Sequence, residues 1–309
     1  MKTITSINDS QFLGKTIITI GTFDGVHLGH KKILEKVVAQ AKAANLESVV
    51  LTFFPHPRMV LQEKSEIKLL NTINEKIQLF DQLGIDCLII HPFDYEFSRL
   101  TAEEFVKTIL IDKFNIQKII IGYDHRFGRN RTANIDDLIV YGNQYDFEVE
   151  QISVEEINEI AISSTKIRTA ILEGNINLAN QYLGYEYSFS GTVIKGKQLG
   201  RTIGFPTANI SNIEDYKLLP KKGVYVVKSI INGQLVFGMM NIGNRPTVDG
   251  EGQTVEVHFL DFNADLYNQN IEIALLHYIR EEIKFNLLDD LKAQIAKDQL
   301  FAQDFVATL

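Results

Sequence analysis

The chain has 309 residues, 45% of them hydrophobic and 23% charged, which at roughly 150 residues per domain is enough for about two ordinary cores and excludes disorder and fibrous repeats. Thirty-one Lys and Arg against 39 Asp and Glu leave a net charge of −8, so no broad positive field exists for nucleic acid or anionic lipid, and any anionic ligand has to be held locally. The lone cysteine Cys87 has no internal disulfide partner, no apolar run approaches the ~20 residues that span a bilayer, and the start MKTITSINDS lacks a secretory layout; a soluble cytoplasmic protein is expected, with neither nucleic acid nor membrane as a partner.

Short apolar runs at 16–20 (TIITI), 48–54, 86–91, 117–122 and 147–152 read as buried strands. Helical patterns lie between them: Ile33, Leu34, Val37, Val38 and Ala41, then Ile77, Phe80 and Leu83, then a stretch opened by Thr101 and Glu104 at capping-box spacing. Strand alternating with helix predicts a doubly wound parallel sheet. A pair of short helices carrying Ile167, Ile171, Leu178 and Leu183 ends near Gly184, where the domain boundary is placed, giving domains 1–184 and 185–309. Beyond it, strand-like segments at 187–195, 223–231, 235–242, 254–262 and 271–279 follow one another without helices, with Asn232-Gly233 as a hairpin signal. They predict an antiparallel sheet or barrel, closed by an amphipathic C-terminal helix with Leu287, Leu291, Ile295, Phe301 and Phe305.

GTFDGVHLGHKKIL (21–34) leaves the first strand and opens the first helix, at the crevice where doubly wound sheets bind ligands. Gly21, Gly25 and Gly29 permit close backbone approach, and the helix start near Leu28 favours phosphate. The segment has neither the Gly-Lys-Ser/Thr of a P-loop nor GxGxxG. His27 and His30 share one helical face and can both donate to a reacting phosphate; a zinc pair or a solvated helix start are the alternatives. In ISSTKIR (162–168), Ser163, Ser164 and Thr165 can simply cap a helix, while Lys166 and Arg168 add cations suited to a triphosphate.

In the second half, GTVIKGKQLGRTIGFPTANI (191–210) gathers four glycines and three cations. Gly191, Gly196, Gly200 and Gly204 with Lys195, Lys197 and Arg201 suit a loop folded over a polyphosphate, or a glycine-rich barrel turn with solvated lysines. Thr207 and Asn209 are two apart, so on an extended segment their oxygens point the same way, as Mg²⁺ ligands beside substrate phosphate would. In TVEVHFLDF (254–262) Glu256 lies on the face opposite Val255, Val257 and Phe259; it is either an ordinary exposed strand residue or a general base.

The HxGH spelling resembles the signature of the nucleotidyltransferase superfamily. With TFFPHP (52–57), IGYDHRFG (121–128), ISSTKIR, PTAN, MNIGNRPTV (240–248), VEVHFLDF and YIREEIKF (278–285), nearly the whole chain resembles the bacterial bifunctional riboflavin kinase/FMN adenylyltransferase family. The resemblance implies a Rossmann-like α/β adenylyltransferase followed by a β-barrel kinase with a C-terminal helix. It implies ATP as co-substrate, riboflavin, FMN and FAD as substrates or products, and Mg²⁺. Gly21, Phe23, Asp24, His27, Gly29 and His30 are then expected at the ATP phosphates and ribose, Ser164, Thr165 and Arg168 at the triphosphate, and Phe54, His56, Pro57 and Asp124 near flavin or nucleotide. In the kinase, Thr207 and Asn209 are expected to hold the metal, Glu256 to act as general base, and Arg280, in YIREEIKF, to lie near the flavin. The sequence departs from the family spelling at His125 and at DLYNQ (265–269). A kinase with a merely nucleotide-binding first domain, a flavin carrier, and adenylylation of another small phosphate are the competing readings; the histidines, Arg168, Thr207, Asn209 and Glu256 together argue against the first two, the kinase-like second half against the third.

Overall fold

The structure is a computed structural model that describes residues 1–10, 12–62, 66–123, 125–153, 162–196, 198–247 and 250–309, with the backbone alone at 245–247 and 250–252. In chain order its elements are β1 (Lys2–Ile4), β2 (Thr16–Ile20), α1 (Leu28–Ala44), β3 (Glu47–Phe53), α2 (Pro57–Leu61), α3 (Ile73–Gln82), β4 (Cys87–His91), α4 (Tyr95–Ser98), α5 (Ala102–Glu104), β5 (Ile116–Gly122), α6 (Ile135–Tyr145), β6 (Glu148–Ile152), α7 (Ser164–Glu173) and α8 (Ile176–Leu183). There follow β7 (Ser188–Ile194), α9 (Leu199–Thr202), β8 (Ala208–Ser211), β9 (Gly223–Ile231), β10 (Gln234–Thr247), β11 (Gly250–Phe259), β12 (Asn270–Arg280) and α10 (Leu288–Val306). The chain divides into two compact units, Met1–Ser164 and Thr165–Leu309.

In the first unit all strands are parallel, in the order β1-β4-β3-β2-β5-β6. Alternate side chains of one strand feed opposite cores, as the two-residue period of a strand requires. Val49 and Leu51 pack with Phe105, Leu110 and Leu138 on one face, and Val50 packs with Leu34 of α1 and Phe80 of α3 on the other. The expected doubly wound sheet is therefore present. The edge strand β1, only three residues long, was not legible as a strand. α1 buries Ile33, Leu34, Val37 and Ala41 on one stripe and stops at Asn45, which takes the left-handed conformation of a helix C-terminus (φ 55°). α3 starts at the capping box Thr72/Glu75. The helix expected after Thr101 is one α-turn that widens to a π-helical stretch over Phe105–Ile111. Because β2 has β3 on one side and β5 on the other, strand order reverses beside it, and the crevice at its carboxyl end is the place for a ligand.

The second unit is built on a closed antiparallel barrel, β10-β11-β8-β7-β12-β9. Asn232 and Gly233, both at positive φ, make the predicted tight turn, and β9 pairs with β10 from Ile231↔Gln234 onward. Six strands stand where five segments were read, because β8 is four residues long and follows a glycine-rich stretch. α10 lies on the barrel through Ile295, Ala302 and Phe305 against Val226, Met239 and Leu276. The helical pair packs with the barrel: Asn180 of α8 donates Nδ2 to Leu275 O at 2.9 Å and accepts from Tyr187 N at 2.8 Å.

Candidate active sites

The segment leaving β2 is held in an unusual backbone path. Phe23 and Val26 are non-glycine residues at φ 45° and 34°, a conformation that costs energy and marks functional loops. A Cβ on Gly21 would come within 3.0 Å of the Phe23 ring, so a side chain there would push the folded-back ring outward by a few tenths of an ångström. Phe23 then meets Phe80 and His30 edge to face. Asp24, buried, accepts the backbone N–H of Leu70 at 2.9 Å through Oδ1, while Ser164 Oγ donates to its carbonyl at 2.9 Å.

His27 caps α1: its Nδ1 accepts the N–H of His30 at 3.4 Å, so its proton when neutral sits on Nε2. The two imidazoles stack with centroids 3.6 Å apart. Burial lowers the pKa of His27 to about 4. His30 is pushed well below its usual value by burial first and by His27 and Lys76 second. At neutral pH both rings are therefore uncharged donors and acceptors. His30 Nδ1 is buried and has no hydrogen-bond partner among the described residues. Gly29 is buried in the first turn of α1.

Lys76 of α3 was missed. It is 3% exposed, its Nζ donates to Thr22 O at 2.8 Å, and burial lowers its pKa to about 8 against the opposing pull of Asp24. The available signal was a charge on an apolar stripe, since Lys76 stands three residues after Ile73 and four before Phe80.

The other expected residues have more local surroundings. Phe54 packs at the edge of the Phe23 core. His56 caps α2, its Nδ1 accepting Arg58 N at 3.1 Å, and Pro57 is the first helical residue. Thr165 and Arg168 follow Ser164 in α7 and belong to the second compact unit. Asp124 and Lys197 lie outside the described residues.

In the second unit a cavity of about 320 Å³ opens on the barrel and brings together Gly200, Thr207, Asn209, Glu256 and Arg280. The cause is strand register: Glu256 of β11 is paired with Asn209 of β8, and Thr207 Oγ1 donates to Glu256 Oε2 at 3.2 Å. Gly196 passes directly over the Asn209 amide and Gly200 over Phe205 O, where a Cβ would collide. Gly191 serves the barrel, since its missing Cβ leaves room for Ile210 and Ser211 of the neighbouring strand. Lys195 and Arg201 are exposed and are not among the described lining residues.

Arg280 is locked by Asp298, a residue that sequence reasoning missed. Nε lies 3.0 Å from Oδ1 and Nη2 lies 2.7 Å from Oδ2, and Gln294 Nε2 donates to Oδ1 at 2.9 Å. Asp298 is 3% exposed and sits on the apolar stripe of α10 between Ile295 and Ala302. Once more a charge stands where helical spacing asks for an apolar side chain.

A neutral histidine pair at a helix N-terminus beside a parallel-sheet switch point, and a carboxylate-hydroxyl-amide set at the mouth of a closed barrel, define a two-domain, nucleotide-dependent transferase. Residues 9–166 match the family model of FAD synthetase and residues 183–306 that of riboflavin kinase. Over nearly its full length the chain is similar to the bifunctional riboflavin kinase/FMN adenylyltransferases of Buchnera aphidicola (42% identical, 96% of each chain), Listeria monocytogenes (39%, 95% of this chain and 93% of that one) and Escherichia coli (38%, 94% and 92%). A crystal structure described as a macrolide-efflux protein from Streptococcus pneumoniae matches with a TM-score of 0.89 at 32% identity, covering 97% of this chain and 98% of that one. Among the described residues no helix is long and apolar enough to cross a membrane. The chain belongs to the bifunctional riboflavin kinase/FMN adenylyltransferase family.

Proposed function

We infer that the chain makes flavin cofactors in two steps: riboflavin and ATP give FMN and ADP in the barrel unit, and FMN with a second ATP gives FAD and pyrophosphate in the α/β unit. The observation that carries this reading is that each family model falls on a unit with its own constellation of polar groups. The functional boundary is assigned near Gly184, which agrees with a riboflavin kinase match that begins at residue 183.

In the kinase, Glu256 takes the proton of the riboflavin 5′-hydroxyl as that oxygen bonds to the γ-phosphorus and the bond to ADP breaks. Thr207 and Asn209 would hold Mg²⁺; the hard oxygen donors and the adjoining carboxylate fit that ion, which supplies neutralisation of the phosphate charge. Arg280, oriented by Asp298, faces the cavity as the flavin-side cation. Lys195, Gly196, Gly200 and Arg201 belong to the segment assigned to the nucleotide.

In the adenylyltransferase an FMN phosphate oxygen attacks the α-phosphorus of ATP and pyrophosphate leaves. His27 and His30 donate hydrogen bonds to the reacting phosphate from neutral rings, so they stabilise charge without exchanging it for their own. Gly21, Phe23, Asp24 and Gly29 shape the phosphate-side loop, Ser164, Thr165 and Arg168 carry the triphosphate, and Phe54, His56, Pro57 and Asp124 are assigned to the flavin or nucleotide side. A cytoplasmic setting, where ATP is available, completes the reading. Incubation with riboflavin, ATP and Mg²⁺ followed by chromatographic separation of the flavins tests it: FMN is expected first and FAD after it. A chain that yields only FMN overturns the second half of the assignment.

A further inference from the structure

Lys76 is a cation enclosed by the first unit beneath the proposed adenylylation loop. Its ammonium reaches Thr22 O at 2.8 Å from a side chain that is 3% exposed. The same carbonyl accepts from Thr52 Oγ1 at 3.3 Å. Thr22 is the residue just before Phe23, which with Val26 takes a positive φ that side-chain-bearing residues rarely adopt. The lysine and Thr52 thus converge on the peptide from which the strained turn departs, and the turn delivers His27 to the head of α1.

Among the described residues, the charges facing this ammonium are few. Asp24 lies on the loop after β2, His27 and His30 on α1, and Glu75 stands beside Lys76 on α3, committed through Oε2 to the N–H of Thr72 at 3.0 Å. With both imidazoles uncharged, Lys76 is the enclosed positive charge next to His30, and its repulsion is one of the causes that keep His30 neutral. A buried ammonium without a functional reason would be replaced at little cost by an apolar side chain on this stripe, which argues that the charge itself is used.

We propose that Lys76 is a positioning residue for adenylyl transfer: it pins the Thr22 carbonyl so that the Phe23–His27 turn holds its shape. The role rests on the assignment of adenylylation to this site. Burial sets the ammonium to lose its proton near pH 8, so the role is expected to fade as pH rises through that value.

The test compares the parent with Lys76→Arg and Lys76→Met in FAD formation from FMN and MgATP between pH 6 and pH 10, with riboflavin phosphorylation by the same samples as the fold control. At pH 7 Lys76→Met is expected to lose about tenfold to a hundredfold in kcat, the size of a lost charge-assisted bond, with the KM for ATP little changed. Lys76→Arg should recover much of that rate and lack the parent's fall above about pH 8, because guanidinium does not deprotonate there; Lys31, whose pKa is also lowered by burial, is present in all three. Equal kcat in parent and Met variant, an alkaline fall that persists in the Arg variant, or a parallel loss of phosphorylation overturns the proposal. Side-chain NMR of lysine in the parent is an arm independent of turnover: a Lys76 titration near pH 8 supports it and one near the usual 10.5 overturns it. A parent that makes no FAD while Lys76 titrates near pH 8 fails the adenylylation reading, and the role with it, but leaves the enclosed cation established.

Discussion

His27 is 5% exposed and holds its pKa at about 4 rather than 6.5, with desolvation as the main cause. Below pH 6.5 the unfolded chain therefore takes up a proton that the folded site refuses, and stability present above pH 6.5 drains away as the pH falls toward 4, by up to about 3 kcal/mol. His27→Asn keeps a capping oxygen and removes the titration, so urea midpoints measured from pH 7 to pH 4.5 should fall less steeply in the variant; equal slopes refute the assignment. Glu256→Gln retains an acceptor for Thr207 Oγ1 but has no basic carboxylate. Riboflavin phosphorylation should drop by ~10²–10⁴ while FAD formation from supplied FMN continues, and a kinase rate within about threefold of the parent returns Glu256 to an ordinary strand residue. Most of the residues of the proposed sites could be singled out in the sequence because each departs from its local pattern: paired histidines after a strand, glycines in a basic run, a carboxylate on a polar strand face. Lys76 and Asp298 departed from a pattern too, but the apolar stripes they interrupt were read for what fits them rather than for what does not.

At the level of elements, α10 is fastened to the barrel by apolar contacts and by one enclosed ion pair, in which the side chains of Arg280 and Asp298 are 18% and 4% exposed. Removing one partner strands a charge, so Asp298→Ala should cost about 3–5 kcal/mol in denaturant unfolding, whereas the volume-matched pair Arg280→Met with Asp298→Leu should come back close to parental stability. Kinase activity should stay low in both, since both lose the guanidinium geometry; a fully active double variant would remove Arg280 from the proposed flavin site. β8 shows why element reading fell short where it mattered. Its residues carry the metal ligand Asn209 of the proposed site, yet four residues after PT give too short an alternation to register as a strand, and its place is fixed by pairing with β7 and β11. The π-helical turn at Phe105–Ile111 was likewise invisible, because its apolar spacing passes for that of an ordinary helix.

For the whole molecule, the doubly wound class of the first unit and the antiparallel character of the second were legible from how strands and helices alternate, which depends only on local periodicity. Which residues pack as one body was not, because the helical pair α7–α8 joins the barrel through tertiary contacts such as Asn180 to Leu275 and Tyr187. A fragment 165–309 should therefore phosphorylate riboflavin and melt cooperatively, and a fragment 185–309 should melt lower, having lost the burial of Ile167, Ile171, Ile176 and Leu183 at about 1.5–3 kcal/mol each; equal melting temperatures would show that the pair adds nothing. Closure of the barrel also sets a timetable for synthesis. β6, the last strand of the parallel sheet, is complete at Ile152, so that sheet has all its partners while the rest of the chain is still on the ribosome. The barrel has no such head start: β12 is the strand that joins β7 to β9, and until Arg280 has been added both keep an unpaired edge able to recruit strands from other chains. A message cut between the codons for Arg280 and Leu288 yields a closed cylinder lacking its helix, whereas one cut a few codons before Arg280 yields a sticky open sheet.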